Sequence, residues 1–227
     1  MERASVFITG ASAGIGLALA RQLLADHNCR VFLGARSTAK GAAALASLTL
    51  PPAAFALATV VECDTTSDAS VAAAASAVRE ALGGAPLYAL VNNAGVGAAA
   101  GVDAILETNF RGPMRAARAF LPLLGAGGRM VNVGSGSGPS YVKALLEAGE
   151  AAAARELVCA ETLATIEAHV EAQRGGAVSE KAGHGYGLSK AALHAFTQVF
   201  AKEHPGLIVM ACSPGFINTA LTQGYGA

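Results

Sequence analysis

The chain has 227 residues, 53% hydrophobic and 14% charged, with 16 basic and 16 acidic side chains. That length and composition suit one folded domain and exclude an intrinsically disordered chain. Zero formal net charge, with no cluster of Lys and Arg, supplies no electrostatic footprint for nucleic acid.

Ser5-Val6-Phe7-Ile8-Thr9 is a short β-branched and aromatic run that predicts a buried parallel strand. It enters Gly10-Ala11-Ser12-Ala13-Gly14-Ile15-Gly16, after which Leu17, Leu19, Ala20, Leu23 and Leu24 mark a helix. Arg3, the apolar run and Ala18-Leu19-Ala20 imitate a signal peptide, but Thr9, Gly10, Ser12, Gly14 and Gly16 interrupt it. No apolar stretch elsewhere has membrane-spanning length, so a cytoplasmic protein with no membrane partner is expected. Strand, glycine loop and helix in succession point to a phosphate site. Glycines permit a tight turn and close backbone approach, and a helix N-terminus offers unpaired N–H groups. The plainer reading is a flexible connection. The spacing TGxxxGxG, filled as TGxxxGIG, resembles the short-chain dehydrogenase/reductase family in its single-domain form. Epimerase-like extended members carry TGxxGxxG, which this chain lacks. The resemblance implies a nicotinamide cofactor on Gly10, Ser12, Ala13, Gly14, Ile15 and Gly16.

Arg30-Val31-Phe32-Leu33-Gly34 reads as a second strand, followed by Ala35-Arg36. A carboxylate at this strand end would grip a ribose 2′-hydroxyl. Arg36 without an acid at Ala35 suits a 2′-phosphate instead, so NADP(H) is expected over NAD(H). The alternative is a solvated arginine. Residues 37–47 form a predicted helix and Ala58 to Glu62 a third strand. In the family, Asp64 and Thr65, which follow it, would meet the adenine end of the cofactor; Asp64 alternatively serves as turn or N-cap chemistry. Residues 67–82 predict an alanine-rich helix.

Leu87-Tyr88-Ala89-Leu90-Val91 predicts the fourth strand, and Asn92-Asn93-Ala94-Gly95 after it is the family's NNAG signature. The resemblance places Asn93, Ala94 and Gly95 against the ribose and nicotinamide. A long helix is expected from Ile105 to Leu124, with Asn109, a weak helix former, inside it. Asn109 matches the family asparagine whose carbonyl holds a relay water; a solvent-facing residue is the bland alternative. Gly128 to Val133 predicts the fifth strand. Ser135 in its exit loop matches the catalytic serine, with Ser137 the rival in a Gly-Ser repeat.

Between Ser135 and Tyr186 a long insert, 137–184, predicts a helix from Lys143 to about Gln173 and a break at Gly175-Gly176. Such an insert resembles the monomeric carbonyl reductase branch, which implies a monomer. Tyr186-Gly187-Leu188-Ser189-Lys190 puts a phenol and an ammonium four apart on one helix face. A nearby positive charge favours the ionised phenol and lowers its pKa. Leu207 to Ala211 predicts a sixth strand. Pro214-Gly215-Phe216-Ile217-Asn218-Thr219 matches the family's PGxxxT, implying that Pro214, Gly215, Ile217 and Thr219 hold the nicotinamide carboxamide. Two departures stand out: a short span between Gly95 and Asn109, and few residues after Thr219, where relatives continue through a substrate lid and a last strand.

Cys29, Cys63, Cys159 and Cys212 are widely spaced and read as buried free thiols of a reducing compartment. The histidines show no metal-ligand spacing, so no metal is expected. The expected fold is an α/β, Rossmann-like doubly wound parallel sheet of order 3-2-1-4-5-6, spanning 1–227 as one domain. The expected activity is NADPH-dependent reduction of a ketone, aldehyde or quinone, or the reverse alcohol oxidation. Its catalytic residues would be Asn109, Ser135, Tyr186 and Lys190, the last two also touching the cofactor. The alternative is an NADP(H)-binding sensor or scaffold without turnover. Glycine spacing and the lack of a second domain argue against a nucleotide-sugar epimerase.

Overall fold

Ser5–Ile8 forms β1 in the computed structural model, which describes residues 3–181, 183 and 185–219. The chain then alternates: α1 (Gly14–Ala25), β2 (Arg30–Ala35), α2 (Thr38–Ala46), the single turn α3 (Pro52–Phe55), β3 (Ala58–Glu62), α4 (Asp68–Leu82) and β4 (Leu87–Asn92). Ser37 caps α2 by accepting from the Lys40 N–H, and Ser67 caps α4 by accepting from the Ser70 N–H. Gly83, at φ +59, ends α4 in the left-handed region that glycine adopts at least cost.

The second half runs through α5 (Val102–Leu106), α6 (Gly112–Phe120), β5 (Leu124–Val133), α7 (Ser137–Glu147), α8 (Ala151–Val158), α9 (Leu163–Gln173), α10 (Ala177–Lys181), α11 (Tyr186–Glu203) and β6 (Ile208–Cys212). The six strands form one sheet of order β3-β2-β1-β4-β5-β6, every pairing parallel. This is the expected doubly wound topology. Side chains alternate along each strand. Phe7, Phe32, Leu90 and Met130 pack under α4, α6 and α11 on one face, while Val6, Ile8, Val31, Leu33 and Val91 pack under α1 and α2 on the other. Phe7 and Phe120 stack at 4.3 Å. β6 lies at the sheet edge, with Ile208 and Met210 close to half exposed.

Three expectations need correction. The helix expected from Ile105 to Leu124 starts at Val102, passes through a π turn at Glu107–Arg111 and tightens into a 3₁₀ turn at Leu121–Leu123. Pro113 has no N–H to donate to the Asn109 carbonyl, so the ordinary i→i−4 ladder cannot run through this segment.

The helix expected from Lys143 to Gln173 is three helices. Gly149, at φ +81, follows α7, its N–H bonding the Leu146 carbonyl while the Glu150 N–H bonds that of Leu145. That paired Schellman closure ends α7, and the Thr162 hydroxyl, accepting from the Thr165 N–H, opens α9. The break expected at Gly175-Gly176 separates α9 from α10.

Finally, only Cys29 and Cys63 are buried, Cys63 with its thiol pushed up to about 12 by burial; Cys159 and Cys212 are exposed, the first past the end of α8 and the second on the edge strand. Among the described residues no helix is long and apolar enough to cross a membrane.

Candidate active site

A cavity of about 1330 Å³ opens across the carboxyl ends of the strands, where open α/β sheets bind ligands. Its floor is the loop from β1 to α1. Gly10 has φ +65 and would bring a Cβ within 2.8 Å of the Ala94 Cα, so only glycine lets these two loops meet. Ser12, Ala13, Gly14 and Ile15 also line the cavity. Ala13 provides no side-chain cap, which leaves the first N–H groups of α1 available to an anion. Gly16 stands behind this wall. A Cβ there would lie 2.4 Å from the Asn93 amide nitrogen and 2.8 Å from the Gly10 carbonyl, so its role is the close packing of loop on loop.

Asn93 fixes the facing wall. Its amide nitrogen donates to the Thr9 carbonyl at 2.9 Å and the Gly10 carbonyl at 3.2 Å. The Thr9 hydroxyl oxygen accepts from the Asn93 and Ala94 N–H groups at 3.0 Å. Ala94 and Gly95 continue along the cavity. At its far end lie Arg36, exposed, and Asp64 with Thr65. Hydrogen bonds from the Thr66 N–H and hydroxyl hold the Asp64 carboxyl below the usual range, with Arg36 and Arg115 adding to the effect. Asp64 therefore forms an Asx turn, and Ser67 is the residue that caps α4.

At the opposite end stand Ser135, Ser137, Tyr186 and Lys190. The Ser135 hydroxyl oxygen accepts from the Ser137 N–H and donates to the Ser137 hydroxyl, each at 3.2 Å, so both candidate serines border the space. Tyr186 and Lys190 occupy successive turns of α11, the ammonium 5.7 Å from the phenol ring centre. Lys190 is 5% exposed, and burial lowers its pKa to about 8. Its Nζ donates to the Val133 carbonyl at 2.8 Å. Pro214, Gly215, Ile217 and Thr219 close the remaining side.

Asn109 is fully buried, not solvent-facing, and lies behind the cavity wall. Its Oδ1 accepts from the Val96 N–H at 2.8 Å, and its Nδ2 donates to the Val96 carbonyl at 3.0 Å and the Ser189 hydroxyl at 3.3 Å. Ser189 donates to the Tyr186 carbonyl at 2.7 Å. Asn109 thus ties the π turn, the loop after β4 and the first turn of α11 together. Replacing it by Leu would strand the Val96 groups, and we expect a loss of roughly 2–4 kcal/mol in urea unfolding. An unchanged midpoint would show that these bonds are dispensable.

The Asn92 amide ties β4 to β5, as the asparagines of the NNAG run are expected to tie adjacent strands, but sequence reasoning missed its partners and other residues that support the site. Asn92, Asn132 and Thr197 form a buried relay: the Asn92 amide donates to Asn132, whose amide donates to the Thr197 hydroxyl, each at 2.8 Å. An asparagine inside an apolar strand is a poor β former, and that was the available signal. His194 fills the space under the serine loop. A Cβ on Gly134 would lie 2.2 Å from its Nε2, and one on Gly138 3.0 Å from its Nδ1. Burial and the Lys190 charge push its pKa down. Ser140, Ala144 and Lys181 bring the insert to the cavity rim.

The family model described as short chain dehydrogenase matches residues 4–153. The (+)-neomenthol dehydrogenase of Arabidopsis thaliana is 32% identical over 251 residues, covering 93% of this chain and 82% of that protein. Salutaridine reductase from Papaver somniferum superposes with TM-score 0.83 at 24% identity, covering 99% of this chain and 90% of that one. An NADPH-bound carbonyl reductase from chicken fatty liver gives TM-score 0.71 at 26% identity, covering 100% and 85%. The chain spans only 28% of the length of another relative, the short chain dehydrogenase tazN of Aspergillus terreus, at 37% identity over 134 residues. With the family model matched over residues 4–153 and a relative 32% identical along 93% of its length, the chain belongs to the short-chain dehydrogenase family.

Proposed function

We propose that this protein reduces the carbonyl group of a small ketone, aldehyde or quinone, with NADPH as the cofactor. The observation that carries the reading is the sharing of one cavity by the glycine loop, Arg36, Ser135, Tyr186 and Lys190. Its volume exceeds the roughly 300–1,000 Å³ of ordinary small-molecule sites, which suits a dinucleotide with a second ligand beside it. The residues fit such a cofactor. The uncapped N-terminus of α1 favours a pyrophosphate, Arg36 a 2′-phosphate and Asp64 with Thr65 the adenine end. Asn93, Ala94, Gly95, Pro214, Gly215, Ile217 and Thr219 would hold the ribose and carboxamide.

When bound, the reduced nicotinamide supplies a hydride to the carbonyl carbon. The Tyr186 phenol gives its proton to the carbonyl oxygen, and Ser135 donates a hydrogen bond to that oxygen as charge builds there. The Lys190 ammonium favours the phenolate left on Tyr186. The Asn109 carbonyl, to which Pro113 offers no N–H, would hold a water that returns a proton to the pair.

The test follows NADPH absorbance with a panel of quinones, aldehydes and ketones; turnover with none of them, despite NADPH binding, would sink the proposal. Exposure of Phe216 (70%) and Ile217 (41%) at the mouth favours a second reading, an NADP(H) sensor without turnover, and that outcome would select it. Arg36→Ala is expected to lower kcat/KM for NADPH relative to NADH by roughly ten- to a hundredfold, the worth of one charged contact. An unchanged ratio would reassign the cofactor to NADH. Helices α7, α8 and α9 bury Tyr141, Leu145, Leu157, Ile166 and Val170 in one core with Leu188 and Ala191 of α11, which supports a monomer.

A further inference from the structure

We infer that the amino-terminal end of the sheet, opposite the nicotinamide site, carries a second binding site, for a phosphate monoester. A cavity of about 460 Å³ opens there between the chain before β1, the start of β2, the α4–β4 connection and the start of β5. Three arginines border it: Arg3, Arg30 and Arg129. Among the described residues no acidic side chain lines it, and none of the three arginines pairs with a carboxylate. Arg111, Arg115 and Arg174, by contrast, each meet at least one.

Two of the guanidinium groups are held in place before any ligand arrives. Arg30 Nη1 donates to the Ala81 carbonyl at 2.7 Å and the group lies over the Phe32 ring at 4.8 Å. Arg129 Nη1 donates to the Gly127 carbonyl at 2.8 Å and its group lies over the Tyr88 ring at 4.2 Å. Each keeps further N–H donors in a rigid fork that matches phosphate oxygens. Side-chain entropy lost on binding is correspondingly small.

The backbone is shaped around the same space. Leu87 pairs with Leu124 and Ala89 with Arg129, so two steps on β4 face five on β5, leaving three extra residues in a bulge opposite Tyr88. Gly125, Ala126, Gly127 and Gly128 fill it. A Cβ on Gly125 would lie 2.9 Å from Pro86, one on Gly128 2.8 Å from the Gly125 carbonyl, and Gly127 has φ +70. Bulges of this kind re-aim side chains at functional positions, and here the bulge delivers Arg129.

The chemistry of the ligand follows from charge and size. Three cations with no carboxylate partner among the described residues call for more than one negative charge, and a phosphate monoester carries about −1.5 to −2 at neutral pH. The cavity is far larger than a phosphate ion and falls within the roughly 300–1,000 Å³ of organic ligand sites. Tyr88, 44% exposed, offers ring surface to the organic part. The same phosphomonoester group occurs on soluble metabolites and on phosphatidic acid.

The test is calorimetric titration of the full chain, saturated with NADP⁺ and at fixed ionic strength, with phenyl phosphate and with inorganic phosphate. Flotation with vesicles of phosphatidylcholine with or without phosphatidic acid identifies a lipid source. Saturable binding of phenyl phosphate, tighter than inorganic phosphate, is expected. It should weaken by at least about tenfold in R30Q/R129Q, the worth of one or more charged hydrogen bonds. Arg3→Gln changes an exposed side chain with no polar contact to a described residue, so the fold should be retained, and it should weaken binding by about threefold. Arg36→Gln should leave it unchanged, which separates this site from the cofactor loop whether or not NADP⁺ binds. Absence of saturable binding by soluble probe and vesicle alike, equal affinity in R30Q/R129Q, or loss of binding in Arg36→Gln would each overturn the proposal.

Discussion

Tyr186→Phe is expected to lower kcat for carbonyl reduction by roughly 10² to 10⁴-fold, the range set by loss of a positioned general acid. The substitution removes one oxygen and keeps the ring, so packing beside Lys190 survives. The start of α11 is also set independently of the hydroxyl. Gly185, at φ +91, turns the chain into the helix, and a Cβ there would lie 2.6 Å from a methyl of Val102. NADPH affinity, read by fluorescence titration, should therefore change far less than turnover. Single-turnover measurement separates the chemical step from product release. Retained single-turnover rates would move the proton donor to another group, and Ser135 or Ser137 would be the next to substitute.

Lys190→Met is expected to split activity from stability in opposite directions. Lys190 is buried, and its folded pKa of about 8 lies below its ordinary value because desolvation disfavours the charged form. The folded protein then binds fewer protons than the unfolded chain between about pH 8 and 10.4, so stability from this group rises with pH through that window. Equivalently, that stability is lost as pH falls through about 8, where the fold must carry the charge. A neutral methionine avoids this cost but leaves the Val133 carbonyl without its 2.8 Å donor. The net gain at pH 7 should be roughly 1–3 kcal/mol, shrinking towards zero or reversing near pH 10. Turnover should fall by at least about tenfold, since the charge that favours phenolate is gone. Urea midpoints at several pH values, with wild type and variant in parallel, test the first half and NADPH consumption the second. A variant less stable than wild type at pH 7 would show that the Val133 bond outweighs desolvation. Such sites trade stability for function, and this lysine is the residue here where the trade is most exposed.

The elements nearest the site were the most legible ones. The strands around Phe7, Phe32 and Leu90 carry short β-branched and aromatic runs, and Gly10, Gly14 and Ser37 set turns and a cap through chemistry that acts within a few residues. Tyr186 and Lys190 needed only the helical period to share a face. Where the reading failed, a distant or cancelling influence was at work. The insert composition is helix-friendly throughout, so the Schellman turn at Gly149 was hidden among good helix formers. Asn109 gave a weak-helix-former signal, but its partners Val96 and Ser189 are 13 and 80 positions away.

The sequence alone determined the strands and helices and the order of the glycine loop, NNAG, serine and Tyr-Lys motifs, because each is encoded by local backbone chemistry, and the family resemblance those motifs carry implied the strand order. Only the tertiary structure decided the buried state of Lys190, the Asn92–Asn132–Thr197 relay, the His194 wedge and the meeting of Arg3, Arg30 and Arg129 around one cavity. Those depend on desolvation and on contacts between residues far apart in the chain, and neither quantity exists until the sheet has closed around its helices.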